Sequence, residues 1–203
     1  MQFLRYILKF SAYYISMQIY SFSPFGYEGS LVNVEVDLRR GIPAIDIVGL
    51  ADGAVKESRE RMRTAIKNSG FEFPPERVLI SLSPADVKKE GALFDLAIAL
   101  AVLAAKEGLT ESESDKSLLV IGELELNGRV RPVRGVHAAV STAKAGGIRH
   151  CIVPSINADE AREVPGMSVF GAEDLTEAFK KLEEQGIARE QLSLQRYKGL
   201  GEM

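Results

Sequence analysis

The chain holds very few residues that form disulfides or bind soft metals: one cysteine and two histidines among 203 residues. Cys151 has no second cysteine with which to close an internal disulfide. Together with His137 and His150 it is also too few to build a Cys/His metal cluster. We therefore expect no metal site of that kind, and the low cysteine content suits the reducing cytoplasm as the location.

An excess of charge of one sign is missing as well. The formal net charge is −3 at pH 7, which argues against a uniformly basic nucleic-acid binder but leaves room for a local basic face. The loop that cradles phosphate in many ATPases, Gly-x-x-x-x-Gly-Lys-Ser/Thr, occurs nowhere in the sequence. We therefore expect no bound cofactor in this chain.

No apolar run is long enough to span a membrane. Residues 3–15 are apolar and aromatic, but Arg5 and Lys9 interrupt them, and the run is shorter than the roughly 20 residues of a spanning helix. No small-residue cleavage site follows. Since Met17 stands just before the first clear strand pattern, we interpret residues 1–16 as an extension or a wrongly assigned start. A peripheral amphipathic anchor is the alternative, and no membrane partner is expected.

Strand and helix patterns are present and alternate along the chain. Residues 31–37 alternate apolar and polar side chains, as in a half-buried strand. A helix is predicted from an N-cap at Asp52 to a left-handed stop at residues 68–70. A second helix, from Phe94 to Lys106, is apolar enough to be buried on most sides.

The remaining segments continue this alternation. Strands are predicted at 18–22, 44–48, 77–82, 118–121, 123–126, 129–131, 151–153 and 168–170, helices at 135–145, 157–163 and 174–184, and a polar loop at 110–116. Asn127-Gly128 predicts a hairpin turn. The alternation predicts an α/β fold, with one domain over residues 17–185 and a flexible tail over 186–203.

Several segments, in the same order, resemble one known family. They are residues 46–50, 55–61, 65–71, 83–86, 88–91, 94–96, 121–124 and 128–136. Over roughly residues 17–182 the chain resembles the N-terminal domain of the YifB/ComM group of magnesium-chelatase (ChlI-like) AAA+ proteins. The resemblance implies a fold like the C-terminal domain of Lon protease. This is an α+β two-layer arrangement, as in the second domain of ribosomal small-subunit protein five.

The resemblance also bears on catalysis. Lon peptidases use a serine hydroxyl activated by a lysine, because the hydroxyl attacks only when a nearby base takes its proton. Matching the motifs places Leu93 at the serine position and His137 at the lysine position. The leucine side chain has no nucleophilic group, so the resemblance implies that this chain has no catalytic residue and is not an enzyme.

The chain departs at two positions from the pattern of the family that it resembles. ComM-like members usually have serine after the glycine of this loop and proline after Phe-Asp-Leu, whereas this chain has Ala92 and Ala97. In the family an AAA+ motor would follow after about residue 185. We interpret the chain as truncated before that ATPase, so that ATP and magnesium would be bound only if an AAA+ domain were present.

The segment from Lys56 to Lys67 has five basic and two acidic residues. Such a helix is a candidate contact for the phosphate backbone of DNA. The candidate contact residues are Lys56, Arg59, Arg63, Lys67, Lys88 and Lys89. The alternative is a solvent-exposed face with ion pairs at i,i+4, Lys56–Glu60 and Glu57–Arg61.

Two acidic residues, Asp86 and Asp95, suggest acid–base chemistry. The simpler interpretation is that Asp95 caps its helix and that Asp86 pairs with a lysine or caps a turn. At the other end of the chain, residues 194–203 resemble a segment of gyrase B and topoisomerase IV, but no acidic cluster or ATP site accompanies it. We interpret it as a fusion junction, a rearranged reading frame or a chance match.

These observations favour a non-catalytic accessory domain. It would assist oligomer assembly or DNA contact of a helicase-like AAA+ motor in DNA recombination or natural transformation. DNA, a second copy of the chain and an AAA+ module are the candidate partners. The alternatives are an ATP-dependent enzyme, either an ATPase or a Lon-like peptidase, and an inactive gene fragment.

Overall fold

A computed structural model describes residues 18–25, 28–111 and 117–188. The predicted extension at residues 1–16 and the gyrase-like segment at residues 194–203 lie outside the described residues. Of the tail predicted from residue 186, only residues 186–188 are described.

In the described part of the chain, a central sheet of seven strands runs through the domain. All the strands, including two short pairs outside this sheet, are β1 (Ile19–Phe25), β2 (Glu28–Arg39), β3 (Ile45–Val48), β4 (Arg77–Ser83), β5 (Leu109–Glu111), β6 (Leu118–Val120), β7 (Glu123–Leu124), β8 (Val130–Arg131), β9 (His150–Pro154), β10 (Ser168–Ala172) and β11 (Gly186–Ala188). The order across the sheet is β10-β9-β6-β1-β2-β4-β3. Only β2 runs antiparallel to its neighbours, so the sheet is mostly parallel.

The helices occur where the apolar periodicity predicts them. They are α1 (Gly53–Asn68), α2 (Asp95–Glu107), α3 (Val136–Ala145), α4 (Ala158–Arg162) and α5 (Leu175–Gln185). The predicted boundaries of α1 are confirmed. The Asp52 carboxylate accepts a hydrogen bond from the Val55 amide at 2.7 Å, and Gly70 adopts a left-handed φ of +84°.

Two hydrophobic cores cover the two faces of the sheet. One contains α1, α2 and α5 packed on residues such as Val34 and Ile80, and the other contains α3 and α4 packed on Leu119 and Cys151. Since α2 has buried side chains nearly all round, from Asp95 to Ala104, its predicted burial is confirmed. The α/β class is confirmed. Helices pack on both faces of the mostly parallel sheet, and β2 itself lies between α2 on one face and α3 on the other.

Two short strand pairs complete the fold. β7 and β8 form the hairpin predicted around Asn127-Gly128. β5 pairs antiparallel with β11. Thr110 and Glu111 therefore belong to a strand rather than to the polar loop predicted from residue 110, because Gly186 and Ile187 pair with them.

Candidate nucleic-acid interface

Helix α1 carries a stripe of four basic side chains on its outward side. Lys56, Arg59, Arg63 and Lys67 are all exposed. Their spacing of three or four residues puts them on one side of the helix. The buried side of α1 consists of Val55, Ser58, Met62, Ala65 and Ile66. These four predicted contact residues therefore lie together, and we call them the basic stripe.

The two arginines of the basic stripe are partly held by the protein itself. Arg59 donates from Nε to the Lys56 carbonyl at 2.9 Å and from Nη1 to the Ile45 carbonyl on β3 at 3.4 Å. The Arg63 guanidinium lies 5.7 Å from the centre of the Phe73 ring. Both guanidinium groups are thus positioned at the surface before any ligand arrives.

Lys88 and Lys89 do not lie together at the surface, as the sequence suggests they would. Lys88 is exposed and forms an ion pair with Glu90. Lys89 is fully buried, so its prediction as a DNA contact is wrong. Its Nζ donates to the Pro84 carbonyl, and its backbone pairs with Leu50 and Asp52. Burial lowers the pKa of Lys89, while the charge of Asp86 opposes that shift.

Asp95 is not the helix cap that the sequence suggests. Phe94 occupies the N-cap of α2 without a side-chain hydrogen bond. The Asp95 carboxylate is fully buried and receives two hydrogen bonds from Arg61, at 2.9 and 3.1 Å, and one from the Leu124 amide at 3.3 Å. Burial raises the pKa of Asp95, and the bonds from Arg61 oppose the shift. Asp95 is the first residue of α2, one position past the N-cap, and its carboxylate is held by the charge-assisted, bidentate bonds from Arg61 instead.

This ion pair also bears on the i,i+4 pairs expected on the charged face of α1. Arg61 binds Asp95 instead of forming the predicted pair with Glu57. Among the described residues, no ion pair joins Lys56 to Glu60 either. Neither of the two expected i,i+4 ion pairs therefore forms on this helix, although Glu60 is exposed beside the basic stripe.

The two positions matched to the Lon dyad lie in ordinary structural surroundings. Leu93 is half-buried and packs against both hydrophobic cores, and its carbonyl accepts a hydrogen bond from the Gly122 amide at 3.1 Å. His137 is exposed in the first turn of α3, where its backbone amide donates to the Glu160 carboxylate at 3.0 Å.

Other features of the site were missed by sequence reasoning. The exposed leucines at the two ends of α1, Leu50 and Leu126, are examples. The one available signal for Leu126 was its place directly before the Asn-Gly turn. The partnership of Arg61 with Asp95 joins residues 34 positions apart, so local patterns could not show it.

Within residues 18–25, 28–111 and 117–188, no group of three or more His, Cys, Asp or Glu side chains is arranged to hold a metal ion. No helix of that same part is both long and apolar enough to cross a bilayer.

The mixed α/β fold with its mostly parallel sheet is that of a Lon-like domain, as similarity to Lon proteases indicates. The chain is 30% identical over 151 residues to Lon protease 2 of Thermus thermophilus, covering 71% of this chain and 18% of that protein. Residues 34–157 match the family described as subunit ChlI of Mg-chelatase. Because this match covers more than half of the chain, the chain belongs to that family.

Two other relatives are more similar still. Protein YifB of Escherichia coli is 42% identical over 151 residues, covering 74% of this chain and 29% of YifB. Competence protein ComM of Haemophilus influenzae is 37% identical over 167 residues, covering 82% of this chain and 32% of ComM. The chain thus spans about a third or less of the length of these relatives.

Proposed function

We propose that this chain is a non-catalytic domain that contacts DNA through the basic stripe of α1 and serves an AAA+ motor of the ComM/YifB kind. The observation that carries the proposal is the stripe itself, four exposed cationic side chains on one helix face. The similarity to ComM, which is a competence protein, supports a role in natural transformation or DNA recombination. A reducing cytoplasm stays the proposed location.

Phosphate contacts explain how such a stripe would work. Each lysine or arginine that neutralises a phosphate releases counterions, so the affinity falls as the salt concentration rises. Arg59 and Arg63 are already held in place, by the Ile45 carbonyl and by the Phe73 ring. Side chains ordered in advance lose less freedom on binding.

The test compares two variants with the same loss of charge. In the first, Lys56, Arg59, Arg63 and Lys67 are changed to Gln. In the second, four exposed cations elsewhere, Arg134, Arg149, Arg162 and Lys180, are changed to Gln. DNA binding is measured by fluorescence anisotropy over a series of salt concentrations, with circular dichroism to confirm folding.

We expect the first variant to lose affinity at low salt and the second to bind nearly as the wild type does. If all four side chains of the stripe contact a single strand, the wild-type slope of log K against log salt should be near −3, since each contact adds about 0.7. The proposal is wrong if the wild type binds no DNA at low salt. It is also wrong if both variants lose the same affinity, because net charge alone would then explain the binding.

The proposal includes the absence of catalysis. Leu93 supplies no nucleophile, and no phosphate-cradling loop is present in the sequence to hold ATP. ATP and magnesium would accordingly act through a partner motor. Peptidase turnover by the purified chain that persists in both Leu93→Ala and His137→Ala would contradict the proposed dyad positions and support a hydrolase.

A further inference from the structure

Each end of α1 is flanked by an exposed leucine. Leu50 lies two residues before the N-cap Asp52 and is 57% exposed. Leu126 is 54% exposed, and its carbonyl accepts a hydrogen bond from Nδ2 of Asn68, the last residue of α1, at 2.6 Å. A helix of 16 residues is about 24 Å long. The basic stripe is therefore bracketed by two apolar side chains.

Leu50 is held in a strained backbone conformation. Its φ of +55° is left-handed, which a bulky residue rarely adopts. The preceding Gly49 leaves little room, because a Cβ there would lie 2.0 Å from the Leu82 carbonyl oxygen. The Leu50 carbonyl in turn accepts a hydrogen bond from the Lys89 amide at 3.3 Å. Strain of this kind concentrates at binding sites and persists where the surroundings enforce it.

Leu126 is held just as firmly in the β7–β8 turn. The Gly128 amide donates to the Glu125 carbonyl at 2.9 Å, and the Leu175 amide donates to the Gly128 carbonyl at 2.9 Å. A Cβ on Gly128 would lie 2.2 Å from Ser69 Oγ, so the turn packs directly on the end of α1. The exposed leucine is thus presented by a fixed support.

We propose that Leu50 and Leu126 pack against unstacked bases, so that the site on α1 takes a single strand of DNA in preference to a duplex. This inference rests on the proposed function. The phosphates would contact the basic stripe, while the bases would meet the leucines at both ends. An open strand offers the faces of its bases directly, whereas an apolar side chain enters a duplex only by unstacking a base step, which costs free energy. Arg129, exposed beside Leu126, adds a phosphate contact.

The experiment uses the full chain and two probes, a fluorescent thymidine oligonucleotide and a duplex of the same length. The variants are Leu50→Asn and Leu126→Asn. Asparagine tolerates the left-handed region, so Leu50→Asn removes the apolar side chain without adding strain. Ile156→Asn is the matched control, because Ile156 is 75% exposed on the turn after β9.

The wild type should bind the single strand about tenfold more tightly than the duplex, and each leucine variant should lose about fivefold of the single-strand affinity. The salt slope should not change in these variants, because no charge is removed. Ile156→Asn should bind as the wild type does. Arg129→Gln should reduce the slope by about 0.7.

Two outcomes would overturn the inference and leave the proposed function intact. One is equal wild-type affinity for the single strand and the duplex. The other is unchanged single-strand binding in both leucine variants. Failure of the proposed function looks different: the wild type then binds neither probe, or the four-residue variant of the basic stripe binds both as the wild type does.

Discussion

At the scale of single residues, Lys88 and Lys89 are neighbours in opposite environments. Lys88 is exposed, whereas Lys89 is fully buried and donates to the Pro84 carbonyl. Lys88→Met should therefore weaken DNA binding and reduce the salt slope. Lys89→Met should leave the slope unchanged, as measured by anisotropy.

Lys89 should also make the free energy of unfolding depend on pH. Burial lowers the pKa of Lys89 in the folded chain below its ordinary 10.5. Above the ordinary value Lys89 is neutral in both the folded and the unfolded chain. As the pH falls below it, the unfolded chain binds the proton more readily than the folded chain, so the fold loses stability. The free energy of unfolding of Lys89→Met should thus rise relative to that of the wild type as the pH falls from about 10.5. Urea denaturation at several pH values checks this, and a constant difference would contradict it.

Two buried serines on β1 make a matched pair. Ser23 Oγ donates to the Lys88 carbonyl at 2.7 Å, whereas Ser21 Oγ is a buried hydroxyl without a hydrogen-bond partner in the described residues. Ser23→Ala should cost about 1 kcal/mol of unfolding free energy, because it leaves a carbonyl without its donor. Ser21→Ala should be neutral or stabilising. Urea denaturation measures both, and an equal loss in the two variants would show that Ser21 has a partner.

At the scale of elements, the Arg61–Asp95 ion pair ties α1 to α2 and, through the Leu124 amide, to β7. Asp95 is fully buried, whereas the side chain of Arg61 is 26% exposed. Arg61→Met strands a buried carboxylate and should cost about 3 kcal/mol of unfolding free energy. Asp95→Asn leaves an arginine that can still reach water, so its cost should be smaller.

The pH adds a second test of this pair. Burial already raises the pKa of Asp95, and removal of Arg61 should raise it further. A carboxylate with a raised folded-state pKa stabilises the fold below its ordinary value of 3.8 and loses this contribution as the pH rises. The deficit of Arg61→Met should therefore shrink as the pH falls toward about 4. Urea denaturation at neutral and at acid pH gives the unfolding free energies of Arg61→Met and the wild type. If their difference grows in acid, the loss in Arg61→Met does not come from an ionised, buried Asp95.

Elements with local signals could be predicted from the sequence. The Asp52 cap and the glycine at residue 70 define the ends of α1, and the Asn-Gly pair defines the β7–β8 turn. Lys89 and Asp95 could not be placed in the same way. Their surroundings are made by Leu50 and Arg61, which come close only when the chain folds. The basic stripe followed from helical spacing, while the leucines at its ends depended on a strained turn and a hairpin contact.

At the scale of the whole molecule, the two hydrophobic cores lie on opposite faces of one sheet. Neighbouring residues of one strand serve both, since Ile152 belongs to the first core and Cys151 to the second. Leu93 packs against both cores as well. Neither core can therefore lose its structure without removing support from the other, and we expect a single unfolding transition.

Cys151 offers a probe for this prediction because it is the only cysteine of the chain. Burial raises the pKa of its thiol to about 12, so the native protein should react slowly with thiol reagents at neutral pH. The midpoint of urea unfolding from Cys151 labelling should equal the midpoint from far-ultraviolet circular dichroism. Leu93→Ala should lower both midpoints together, because truncating a half-buried leucine should cost about 1 to 2 kcal/mol of unfolding free energy. Ile156→Asn changes an exposed residue and should move neither midpoint. If Cys151 is labelled at a lower urea concentration than that at which the helices are lost, the second core opens separately.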